Sequence, residues 1–205
     1  GFRVGFERGR FDAYVNLGYH LLTGKNVPTN TQFELRTGVN RAFIQEEDMR
    51  LSAGIVLTHW RYQDDQSYYT FGHGGYYSPQ SYYSLATPAR WEGRTGRWSY
   101  LLKGSVSVSV SHMKDMPFYP TRADLQVLAG NPYHTGGSGH GMGYSLGGAL
   151  EYQATRHLFI GGRIEIDRSE YYTPNFATFY LRYMFDPRTG PVPYPPTPVK
   201  PYSRF

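Results

Sequence analysis

Cysteine is absent from the 205 residues, which removes disulfides, zinc–thiolate sites and cysteine nucleophiles together. No run of apolar letters is longer than three residues, so no segment reads as a membrane-spanning helix or as the apolar stretch of a secretory leader. Charge is scarce as well: only 18% of residues are charged, and the 21 lysines and arginines are scattered singly. The net charge of +5 therefore forms no basic run, and nucleic acid is not an expected partner. Aromatic residues and glycine are plentiful instead, with 20 tyrosines and 24 glycines. That composition argues for strands and turns rather than disorder. The chain begins at Gly1, not Met, and reads as a piece of something longer.

Period two dominates the pattern. From Leu158, the residues Leu158, Ile160, Ile164 and Ile166 alternate with Phe159, Arg163, Glu165 and Asp167. On a pleated strand the two sets point to opposite faces, one oily and one charged. The run from Tyr100 sets Leu102, Val106, Val108 and Val110 against Lys103, Ser105, Ser107, Ser109 and Ser111. Similar runs begin at Phe2, Phe11, Phe33, Met49, Tyr83, Tyr144 and Ala177, which makes nine strands. Several reach the length that a tilted strand needs to cross a bilayer.

The connections alternate in length. Short turns fall at 9–10, 45–48, 93–96 and 154–157, while the links 23–31, 63–82, 112–140 and 169–174 are nearly all longer. Short turns at one end and long loops at the other are the arrangement of outer-membrane barrels. The expected fold is thus all-β, an antiparallel up-and-down transmembrane β-barrel, here an open arc or incomplete barrel. Strands occupy residues 1–185, and 186–205 form a proline-rich tail that cannot be a central strand.

Several groups invite a chemical reading. Gly143–Gly147 spells Gly-Tyr-Ser-Leu-Gly, but no helix follows Ser145, as a hydrolase nucleophile would require. An acyl hydrolase using Ser145 with His140 is nonetheless the enzyme alternative, and a generic porin is another. His73, His112, His134 and His140 fall in expected outer loops without metal-site spacing, so no metal and no cofactor are expected. The inward charges either pair into ladders that stiffen the wall or line a watery path. The candidate lining is Tyr14, Glu34, Arg36, Arg90, Glu151, Phe159, Arg163, Glu165, Asp167, Tyr180 and Arg182, with Trp60 a further inward ring. Mixed signs would suit a neutral, hydroxyl-rich solute.

Two segments carry a family resemblance: "FGHGGYYSPQSYYSL" from Phe71, and "LAGNPYHTGGSGHGMGYSLGGALEYQATRHLFIGGRIEIDRSEYYTPNFATFYLRYMF" from Leu128. Together they resemble the C-terminal domain of the cellulose synthase operon protein C family, the outer-membrane subunit of bacterial cellulose secretion. The resemblance runs over nearly the whole chain. It implies a barrel of about sixteen strands, an even number as in bacterial barrels, preceded by periplasmic tetratricopeptide repeats. It implies export of nascent cellulose, contact with outer-membrane lipid and, through the repeats, with the inner-membrane synthase. It supplies no catalytic residue. It also marks Phe71, Gly72, His73, Gly74, Gly75, Tyr76, Tyr77, Ser78, Pro79 and Gln80 as an outer loop of functional weight.

Overall fold

The computed structural model describes residues 1–168 and 175–198. In chain order the elements are β1 (Phe2–Arg8), β2 (Phe11–Leu22), β3 (Asn30–Gln45), β4 (Met49–Tyr62), β5 (Ser81–Thr95) and β6 (Trp98–Met113). A two-residue strand β7 (Met116–Pro117), helix α1 (Ala123–Leu128) and a second short strand β8 (Tyr133–His134) follow. The chain then forms β9 (Gly137–Gln153), β10 (Leu158–Arg168) and β11 (Asn175–Tyr183). Nine strands make one antiparallel sheet in the order β1-β2-β3-β4-β5-β6-β9-β10-β11, and β7 pairs with β8 apart from it. Among the described residues β1 pairs only with β2 and β11 only with β10, so both edges are open and the barrel is incomplete.

The tight turns 9–10, 46–48, 96–97 and 154–157 join strands at one end. Gly9 and Gly96 occupy left-handed positions there, with φ of 60° and 56°, which a glycine adopts without steric cost. The longer connections 23–29, 63–80 and 114–136 sit at the other end. The link 169–174 lies outside the described residues. Extra order appears in the expected loop 112–140. Gly137, Gly139, Gly141 and Gly143 look like a flexible loop by composition, yet they pair with Met113, Ser111, Ser109 and Ser107 and extend the sheet. His112 and His140 are therefore strand residues, not loop residues.

Register sorts the side chains by polarity. One row runs Val4, Val15, Thr37, Leu57, Leu85, Val108 and Met142 across seven strands. Every carboxylate of the described strand residues falls in the opposite register: Glu7, Asp12, Glu34, Glu92, Glu151, Glu165 and Asp167. Burial is inverted relative to a water-soluble sheet. Ile55, Val106 and Ile164 are 58%, 62% and 51% exposed, whereas Glu151 and Glu165 are 0% and 3% exposed. A flat single layer would leave both faces equally open. The polar face is more enclosed because the sheet curls toward it, and among the described residues no second layer covers the apolar face.

Inward side chains lie down along the wall. The Tyr180 ring rests on Gly161 of the neighbouring strand and the Tyr14 ring on Gly38, where an added Cβ would meet the ring. After β11 the chain turns back beneath the tight-turn end. The Arg188 amide donates to Arg156 O at 3.0 Å, Arg94 Nη1 donates to Val192 O at 3.4 Å, and Tyr194 OH donates to Glu47 O at 2.9 Å. Arg94 stands opposite Ser99 in the polar register, so the tail crosses on that face.

Gly161 and its neighbour Gly162 give a paired test. Valine at 161 meets the Tyr180 ring, whereas at 162 the nearest atoms belong to Phe179 at an ordinary 3.5 Å. Gly161→Val should destabilise the folded form by about 1–3 kcal/mol, the usual cost of overpacking, and Gly162→Val by clearly less. Urea unfolding of the assembled barrel reads both.

Candidate functional site

The polar face divides into two halves. Near the tight turns it is charged and internally paired. Arg182 Nη2 donates to Glu151 Oε1 at 2.5 Å, and Tyr180 OH donates to Glu151 Oε2 at 2.9 Å. The Arg182 guanidinium lies 4.1 Å from the centre of the Phe159 ring. Lys103 Nζ donates to Glu165 at 2.5 Å, Arg163 pairs with the same carboxylate, and Arg90 pairs with Glu92 at 2.5 Å. Arg182–Glu151 and Lys103–Glu165 cross between strands, whereas Arg90–Glu92 and Arg163–Glu165 lie within one; removing Arg182 would leave the buried Glu151 carboxylate without its cation, a loss of about 3–5 kcal/mol. A polar recess of about 250 Å³ remains between Asp12, Asn40, Arg50, Ser52, Arg90 and Glu92.

Near the long loops the same face is almost neutral. Successive rows read Val56, Ala86, Ser107, Gly143, then Thr58, Ser84, Ser109, Gly141, then Trp60, Tyr82, Ser111, Gly139. Glu34 and Arg36 border this lane on β3, opposite Trp60 and Thr58, and Tyr14 lies further along with Arg3 5.8 Å from its ring. Asp167 borders the lane beside Ser145. Trp60 and Tyr82 meet edge to face at 4.7 Å, and Tyr77 meets Tyr82 in the same manner at 6.4 Å. The Trp60 Nε1 is buried with no acceptor within reach. Three rings thus stand where the lane reaches the loops, with hydroxyls and bare backbone behind them.

The glycine- and tyrosine-rich loop folds inward over this end. Asn30 Nδ2 donates to Asp64 O at 2.8 Å and to Tyr76 OH at 3.0 Å, which ties the loop to the inner face of β3. Ser78 is the hub. Its Oγ accepts from the Gln66 amide at 2.6 Å and lies 2.9 Å from Tyr76 O as a donor. Gln80 Oε1 accepts from the Lys114 amide at 2.8 Å, and His73 Nε2 stands 2.9 Å from Pro117 O. Those contacts join the loop to 114–136, so both long loops form one cap. Gly72 and Gly75 take φ of 96° and 69°, Gly74 packs on Tyr76, and Phe71 is exposed at the surface. Of the expected motif, Ser78, Pro79, Gln80 and His73 build the cap, and Tyr77 reaches the lane.

His140 and Ser145 differ by an odd number of residues on one strand. His140 pairs with Val110 on the apolar face, and Ser145 lies between Ser105 and Asp167 on the polar face. His140 and Ser145 therefore do not face each other as a dyad. Thr58, Tyr82, Ser84 and the β6 serines face the lane although they are not among the lining residues expected from the sequence. Their alternation was visible, but the cross-strand register that aligns them in one lane was not.

The model described as the C-terminus of cellulose synthase operon protein C matches residues 1–186. Proteins called cellulose synthase operon protein C are similar to this chain. That of Salmonella typhimurium is 36% identical over 208 residues, covering 99% of this chain and 18% of the relative. That of Pseudomonas fluorescens is 33% identical over 201 residues, covering 98% and 16%. That of Escherichia coli K12 is 36% identical over 208 residues, covering 99% and 18%. The chain thus spans less than a fifth of the length of these relatives.

His134 is the group through which the cap is expected to respond to pH. Its ring is stacked between Tyr68 at 3.7 Å and Phe118 at 4.0 Å, and Nε2 lies 3.0 Å from Thr70 Oγ1. Burial first, and then His73, lower its pKa below the ordinary 6.5, with Asp65 opposing. The opened cap consequently binds more protons than the closed one, so cap stability is full above pH 6.5 and is lost as pH falls through the lowered value. Limited proteolysis of residues 63–80 should accelerate below pH 6.5, and His134→Gln should flatten that dependence.

Proposed function

Because the chain belongs to the cellulose synthase operon protein C family, we propose that it is wall of the outer-membrane barrel through which nascent β-1,4-glucan leaves the cell. The observation that carries this reading is the inverted sheet: an uncovered apolar face against an enclosed polar face with a neutral hydroxyl lane. Oily side chains on the outside suit hydrocarbon, and the inner strands are laddered on both sides over most of their length, with a break between β4 and β5 at Gly54–Ile55, close to what a bilayer demands. A glucan carries hydroxyls around its ring edge and apolar C–H faces. The serines, with Thr58, exchange hydrogen bonds with the former, and Trp60, Tyr82 and Tyr77 offer surfaces to the latter.

Transport of this kind is passive. A moving polymer must leave each position as readily as it enters, which many shallow contacts allow and one deep well forbids. The driving force is the synthesis and translocation upstream. In this reading the rest of a longer protein supplies the strands that close the wall against β1 and β11. Its periplasmic repeats connect the exit to the synthase at the inner membrane.

A single thiol tests the path. In the full protein carrying Ser109→Cys, a bulky maleimide attached at residue 109 should cut secreted cellulose severely. The same label on Ile55→Cys, on the other face, should leave secretion intact. Secretion unaffected by label at 109, alongside conductance that glucan fragments do not block, would point to a generic porin.

A further inference from the structure

The apolar face is not uniform along the strands. Toward the tight turns its polar edge is an aromatic belt that includes Trp91, Trp98, Tyr100 and Tyr152, with Trp98 4.7 Å from Tyr152 and Trp91 5.2 Å from Tyr100. Toward the long loops the edge is made of histidine and arginine. One row across β4, β5, β6 and β9 reads His59, Tyr83, Val110, His140, and the row beyond it reads Ser81, His112, Ser138. Arg61 follows His59 by two residues and is exposed on the same face, opposite Phe33. The His59 and Tyr83 rings stack at 4.3 Å, and the exposed His112 has its Nδ1 3.2 Å from Ser138 Oγ.

Directly toward mid-sheet from these rows is a groove of about 410 Å³, lined by Leu57, Tyr83, Leu85, Val108, His140 and Met142. It exists because Val108 and Val110 are short, while Leu57 and Tyr83 on one side and Met142 and His140 on the other are long. The lining is almost wholly apolar. The polar residues stand at its loop-side end, where a lipid carries its head group.

We propose that this patch docks a phosphate-bearing lipid of the leaflet on the loop side, with Arg61, His112 and His140 at the phosphates and an acyl chain in the groove. The inference rests on the membrane-barrel reading above. Charge complementarity selects the occupant. No carboxylate of the described strands lies on this face, so phosphate meets no repulsion, and Arg61 gives it a fixed, multiply donating partner. Arg61 and His112 stand two strand gaps apart, about 10 Å. One phosphate does not bridge that span, so the site suits a broad head group bearing phosphate at two places. Free phosphate lacks the chain that the groove requires.

The test uses the full protein in detergent micelles, titrated with diphosphorylated lipid A or with its dephosphorylated form, and read by native mass spectrometry. Wild type should retain the diphosphorylated lipid and not the dephosphorylated one. Arg61→Gln with His112→Gln should lower retention by at least about tenfold, the smallest effect expected when charge-assisted hydrogen bonds to phosphate are lost. Val108→Trp, which fills the groove, should lower it comparably, and Arg41→Gln at the opposite end should not. Equal retention in wild type and both site variants, or of both lipids, overturns the site. Density-gradient fractionation separates the two levels. A protein that sediments with the outer membrane and secretes cellulose, yet shows no selective retention, removes the lipid site alone. A protein absent from that fraction removes the barrel reading and the lipid site with it.

Discussion

Alternation of side chains about a laddered backbone is the constraint on which the molecule depends. A strand has two faces and no third option, and a shift of one residue exchanges them completely. Here such a shift would bring Glu151, Glu165 and Arg182 to the uncovered side and Ile160, Ile164 and Leu181 to the enclosed one. Tight turns at one end hold the register, and the irregularity between Ala42 and Ile44 absorbs an extra residue without changing the sorting beyond it. The separation of carboxylates from aliphatics is thus a property of the whole sheet, and no single contact creates it.

The charged half and the neutral half of the polar face then take different roles. Charges close to an enclosing wall must find partners, and Arg182–Glu151 and Lys103–Glu165 have done so across strands. Such pairs stiffen the wall, but their donors and acceptors are largely spent on each other. Serine hydroxyls bring no desolvation penalty comparable to that of an ion. The glycines opposite them keep the surface low, so the lane from Ser107 to Gly139 remains both wettable and smooth.

Strand existence was legible from the sequence because period two is a local property, and the nine runs it marked became the nine strands of the sheet. The sorting of β10 into two faces was legible for the same reason: Phe159 and Glu165 are buried and Arg163 nearly so, as their alternation with Ile160 and Ile164 required. What each residue does there was less visible. Whether Arg163 faces a solute or Glu165 depends on distances between side chains, which a one-letter pattern does not encode. The sequence shows 112–140 only as a long outer loop, because the order within 114–136 comes from the other loop. His134 stacks on Tyr68, more than sixty residues away, and α1 is too short to announce itself by periodicity. Glycine in β9 misled in the opposite sense, since there it serves flatness, not flexibility.

The two ends of the polar face are closed to different degrees by different chemistry. At the loop end, lifting residues 63–80 would expose Asp65, Gln66 and Ser78, all essentially inaccessible now, and would open the hydrogen bonds centred on Ser78 and Asn30. At the turn end the tail is held by the buried Val192 and by partly exposed contacts to Arg94 and Glu47. Exposed hydrogen bonds exchange with water at little net cost, whereas buried ones do not. Local opening is therefore easier at the tail than at the cap. In the proposed export path, a glucan entering from the turn side would meet the weaker obstruction first and the firmer one last, after the neutral lane had aligned it with the Trp60, Tyr82 and Tyr77 rings.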